Sequence, residues 1–114
     1  LLSLIHRANS FVAVLVCLAP NFEDELRKFN DPDLTQKVKE LQKRIEELDG
    51  YVAGLLFQSV NPYKKRRIRN YRLVVREYVV DAQRVLVFCK IFRRADEVNY
   101  FKFLESRRLS EESQ

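Results

Sequence analysis

Glycine and proline are almost missing from this chain, with two and three among 114 residues. Breakers this scarce exclude collagen-like and low-complexity chains. Beside abundant Leu, Glu, Lys and Arg they argue for long helices. Methionine and tryptophan do not occur, and His6 is the one histidine. One imidazole with no placed partner gives no catalytic triad. There is also no glycine-rich phosphate loop and no nucleophile elbow, so the expectation is a protein that is not an enzyme and needs no cofactor. The two cysteines, Cys17 and Cys89, lie in separate apolar runs, FVAVLVCLA and VLVFCKIF. Unclustered, they argue against a zinc site and read as buried thiols of a reducing, intracellular setting, cytoplasmic or nuclear. No apolar run reaches the ~18–20 residues of a membrane-spanning helix. The cleanest, residues 11–19, lacks the basic leader of a signal peptide.

What is present is globular: 46% hydrophobic and 32% charged residues. The length suits one domain able to bury a core, expected over residues 1–109, with a flexible tail at 110–114. The chain opens on Leu1 in mid-pattern, which reads as a piece of a longer protein or a processed one. The net charge of +5 is uneven. Residues 1–61 hold seven basic and nine acidic residues, and residues 62–114 hold fourteen and seven. That asymmetry points to an anionic partner for the second half.

Along the chain, residues 1–19 turn apolar on every side and predict a central helix. Asn21, followed by Glu23, Asp24 and Glu25, marks the start of a short helix to about residue 30. Asp31-Pro32 opens the next. There Leu34, Val38, Leu41, Ile45, Leu48, Val52 and Leu55 alternate four and three apart, a heptad stripe supported by Glu40 and Arg44. Gly50 and Gly54 interrupt it, and the spacing predicts continuation to about Val60. A fourth helix is expected from Pro62, where Ile68, Tyr71, Val75, Tyr78, Ala82, Val85, Cys89 and Phe92 repeat the same spacing. The β-branched run VVREYVV suggests a strand, but length decides against it: no turn residue is read from Tyr63 to the C-terminus, and a strand of that length would be abnormal. Val75, Val79, Ala82, Val85 and Leu86 would then face the core. A last apolar patch follows Asp96.

The fold expected is therefore all-α, an antiparallel bundle of three to four helices, two of them long and coiled-coil-like. Bundles without pocket chemistry mostly dock, scaffold or tether, so the function expected is protein–protein interaction, with another protein or a second copy as partner. The second reading is binding of nucleic acid or anionic lipid head groups through Lys64, Lys65, Arg66, Arg67, Arg69, Arg72 and Arg76. At the N-terminus of a helix these cations would oppose the macrodipole, which marks them as functional. Finally, Arg107-Arg108-Leu109-Ser110 has the basic residues that basophilic kinases read, making Ser110 a candidate phosphosite.

Overall fold

The computed structural model describes residues 13–60 and 62–112, so the start of the first segment, with His6, and the last two residues lie outside the described residues. The chain forms β1 (Val14–Leu18), α1 (Phe22–Lys28), α2 (Pro32–Glu47), α3 (Gly50–Gly54), β2 (Gln58–Val60), β3 (Tyr63–Ile68), β4 (Tyr71–Val80) and β5 (Gln83–Arg93). A 3-10 turn (Arg94–Asp96) leads into α4 (Glu97–Glu112). The strands make one five-stranded sheet in the order β1-β5-β4-β3-β2. β1 runs parallel to β5, and β2 to β5 form an antiparallel meander. This is a mixed α/β fold rather than an all-α bundle, and the coiled coil expected of its two long helices is not formed.

Each departure has a local cause. The run at 11–19 contains a strand, because β1 lies beside β5 and buries Val14 under α2 while Leu15 and Cys17 stay exposed. Cys17 is thus not the buried thiol expected, although both cysteines are free. Asn21 sits in the left-handed region (φ 72°) and makes no side-chain cap, so it turns the chain rather than capping α1. Asp31 does cap α2: its carboxylate accepts from the Leu34 N–H at 3.1 Å. Leu34, Val38, Leu41 and Ile45 bury the stripe of α2 as expected. The helix ends at Glu47, because Leu48 takes an extended conformation (φ −99°, ψ 152°). Beyond that point Val52 and Leu55 are exposed, so the stripe does not continue to Val60. Glu40 accepts from Gln36 rather than pairing with Arg44.

The expected fourth helix is three strands. Ile68 and Tyr71 pair across a two-residue turn, Arg69-Asn70, and Val80 and Gln83 pair across Asp81-Ala82. Asp81 and Ala82 both have positive φ (51° and 64°), the signature of a type I′ hairpin turn. Asn70 and Asp81 are turn residues, but neither is followed by the glycine that usually announces such a hairpin. β4 is central, and Leu73, Val74 and Val75 are all fully buried. A strand covered on both faces reads as a continuous apolar run, not an alternation. Of the core residues expected here, Val75 and Leu86 are buried. Val79 is exposed, Ala82 sits exposed in the turn and Val85 is half-buried.

The sheet separates two apolar layers. On one face α1, α2 and β1 pack around Phe22, Leu34, Ile45, Leu73, Val75 and Phe88. On the other α4 places Tyr100 and Leu104 on Tyr63 and Val74, with Phe92 and Phe103 beside them. Among the described residues no helix is long and apolar enough to cross a membrane.

Candidate anion-binding site

The basic stretch lies on β3 and the start of β4, so its side chains alternate between the two faces of the sheet. No helix N-terminus holds them, and the conflict with a macrodipole does not arise. Lys64, opposite Val75, faces the layer of α1 to α3. There its ammonium binds Glu77 at 2.9 Å, and Glu77 also accepts from Arg84. Burial alone would raise the Glu77 carboxyl, but the Lys64 and Arg84 hydrogen bonds outweigh it and hold the group below its ordinary value. Gly50 makes room for this trio, since a Cβ there would come within 2.7 Å of the Arg84 guanidinium. Arg76 leaves the cluster too, its guanidinium lying over the rings of Tyr63 and Tyr78.

Arg69 is neutralised differently. It ion-pairs with Asp33 and lies 3.8 Å from Asp31, at the start of α2. Asp31 also accepts from the Tyr71 hydroxyl at 3.0 Å. Its carboxyl is held below the ordinary value first by the Leu34 N–H, with the Tyr71 hydroxyl and Arg69 adding to it against the opposing effect of burial. Burial, then the Asp31 contact, pushes the Tyr71 hydroxyl up. The acids that meet Arg69 and Tyr71 are therefore Asp31 and Asp33.

Four residues of the cluster remain together. β2 pairs only with Tyr63, Lys64 and Lys65, so among the described residues the edge of β3 at Arg66–Ile68 has no strand beside it. Two grooves flank that edge, and Arg66 and Arg67 line both. One, of about 380 Å³, lies against α2 and is lined by Lys37, Glu40, Arg44 and Arg69 as well. The other, of about 440 Å³, is bounded by Phe57, Lys65, Arg72 and Glu97. Arg66 also ties the groove wall, donating to the Leu56 carbonyl at 2.8 Å.

Arg72 forms part of the second groove and is only 6% exposed. Its guanidinium donates to the carbonyls of Tyr71 (2.9 Å) and Arg69 (3.3 Å), while the nearest carboxylate, Glu97, stands 4.0 Å away. Directly across the ladder is Arg67. Like charges placed opposite each other destabilise a sheet. Among the described residues, Arg67, Lys37 and Arg44 have no ion-pair partner. Nearby, burial and then Glu97 push the Tyr100 hydroxyl up to about 12, with Arg72 opposing.

Of the seven cations singled out in the sequence, the fold thus gathers Lys65, Arg66, Arg67 and Arg72, keeps Arg69 at the rim in ion pairs, and sends Lys64 and Arg76 elsewhere. Lys37 and Arg44 belong to the site and were not singled out. Their signal was the spacing of seven on a helix, two turns along one face. Ser110 falls within α4, and its side chain lies outside the described residues. Among the described residues no three His, Cys, Asp or Glu side chains gather as metal ligands. Compared with protein-family models and with curated proteins, the chain matches none.

Proposed function

We propose that the protein binds single-stranded nucleic acid along the free edge of β3, by contact rather than by chemistry. The observation that carries this is the pair Arg67–Arg72, two cations placed opposite each other beside a groove, with Glu97, 4.0 Å from Arg72, as the nearest carboxylate among the described residues. The two like charges repel across the ladder, whereas a phosphate beside the two guanidiniums removes the repulsion and adds charge-assisted hydrogen bonds. A strand offers a cation on one face every second residue, about 6.6 Å apart, a spacing suited to an extended polyanion. Lys37 and Arg44 line the other side of the edge, and Phe57 gives the second groove an aromatic surface for a base. The recessed form of both grooves favours a flexible strand over a flat membrane surface or a duplex. The free thiols fit an intracellular setting.

The test is the triple variant Lys37→Glu, Arg44→Glu and Arg67→Glu, assayed with a labelled single-stranded oligonucleotide. The wild type should bind with an affinity that falls steeply as salt rises, with a slope of about 0.7 per phosphate contacted. The variant should lose that binding while keeping the wild-type melting temperature. Equal binding by the two proteins sinks the proposal, and recovery of a shortened oligonucleotide would overturn its claim of contact without chemistry.

A further inference from the structure

The other edge of the sheet has the opposite character. β1 is Val-Leu-Val-Cys-Leu, with no charge, no proline and no bulge in its pairing with β5. Edge strands are ordinarily blunted by one of those devices, because a free row of N–H and C=O groups is a template for another strand. The Ala19 N–H donates to the Phe88 carbonyl at 3.0 Å, and Gln83 donates to the Ala13 carbonyl at 2.9 Å. Odd-numbered residues therefore turn their backbone groups toward β5. By the period of two, the N–H and C=O groups of Val14, Val16 and Leu18 point out of the sheet edge. Among the described residues, nothing accepts or donates to them.

We propose that this edge pairs with the same edge of a second copy, β1 antiparallel to β1 about a twofold axis at Val16. Charge selects the partner. The β3 edge would bring Arg66 and Arg67 against their own copies, whereas β1 meets itself without any charge. Isologous contacts of this kind are the commonest route to a dimer. The outward groups of Val14, Val16 and Leu18 would meet those of Leu18, Val16 and Val14 in the copy. Leu15, which is 51% exposed, would lie directly opposite Cys17 of the second copy in a non-hydrogen-bonded pair, where Cα atoms are about 4.5 Å apart. The exposed side chains beside it, Tyr78 and Val80 with the half-buried Val85, extend the apolar strip across β4 and β5. This inference does not depend on nucleic-acid binding.

Sedimentation of the full chain should show a reversible monomer–dimer equilibrium at up to about 100 µM, the range set by a small interface. Leu15→Lys changes an exposed position and should leave a folded monomer. In Leu15→Cys, mild oxidation should link the introduced thiol to Cys17 of the second copy, because that spacing lies within disulfide range. Adding Cys17→Ser should abolish the link. A wild-type chain that stays monomeric throughout the range overturns the proposal. So does Leu15→Cys linking no faster than the wild type, or linking undiminished after Cys17→Ser.

Discussion

α2 and β4 carry nearly the same apolar spacing and fold into opposite structures. In α2 the stripe Leu34, Val38, Leu41 and Ile45 is separated by polar residues such as Gln36, Lys39, Lys43 and Glu46, and one side is buried. In β4 the residues between the stripe positions are also apolar, and Leu73, Val74 and Val75 are buried together although neighbours point to opposite faces. A spacing of three and four therefore identifies a helix only when the intervening positions are polar. Where they are apolar, the same spacing belongs equally to a strand covered on both sides, and the β-branched content of Val74, Val75, Val79 and Val80 is the better guide.

The sharpest way to break this comparison is to charge each face of β4 in turn. Val74→Asp places a carboxylate in the layer under α4, and Val75→Asp places one in the layer under α2. Each should cost on the order of 4 kcal/mol or more and leave little folded protein by circular dichroism, because the buried carboxylate loses its hydration and the cations nearest to it are already engaged, Lys64 by Glu77 and Arg76 over the Tyr63 ring. If one of the two melts like the wild type, β4 is covered on one face only.

A smaller effect belongs to α2. Leu34 is fully buried, and Leu34→Ala should cost about 2–5 kcal/mol by chemical denaturation. Val52→Ala and Leu55→Ala, on the part of the stripe beyond Leu48, should cost far less, because both side chains are exposed. Equal costs would restore the long continuous helix.

Titration separates the two elements next. Asp31 at the start of α2 and Glu77 on β4 both have lowered folded pKa values. The stability they contribute is complete above the usual carboxylate range and is lost as the pH falls through those lowered values. Melting temperature should thus drop on acidification, and Glu77→Gln should flatten part of that drop. At the other extreme Tyr100 is raised from 10.0 to about 12. Its share is intact below the first value and lost as the pH rises toward the second, so Tyr100→Phe should remove an alkaline loss seen in the wild type. A wild-type melting temperature that is flat at both extremes would contradict these assignments.

The smallest change should be favourable. Ala82 holds a positive φ of 64°, a region costing an L residue roughly 1 kcal/mol or more. Ala82→Gly should raise stability by about 1 kcal/mol, read as a melting temperature several degrees higher. Destabilisation instead would mean that the chain does not turn at Asp81-Ala82.

By itself the sequence determined the element whose signals are local. Asp31-Pro32 and the polar-spaced stripe specify α2 and its start, since a cap and an amphipathic face need nothing from the rest of the chain. It also determined that residues 64–72 hold the densest positive charge. Tertiary structure decided the rest. Hairpin turns built on Arg69-Asn70 and Asp81-Ala82 lack the glycine that makes such turns readable, so only strand pairing holds Arg69, Asp81 and Ala82 at positive φ. Likewise Val74 and Val75 become strand residues because β3 and β5 flank them and helices cover both faces. The site followed the same division: its charge could be counted along the chain. Which cations stay unpaired was settled by Asp31, Asp33 and Glu77, distant acids that the fold brings to Arg69 and Lys64 but not to Arg67.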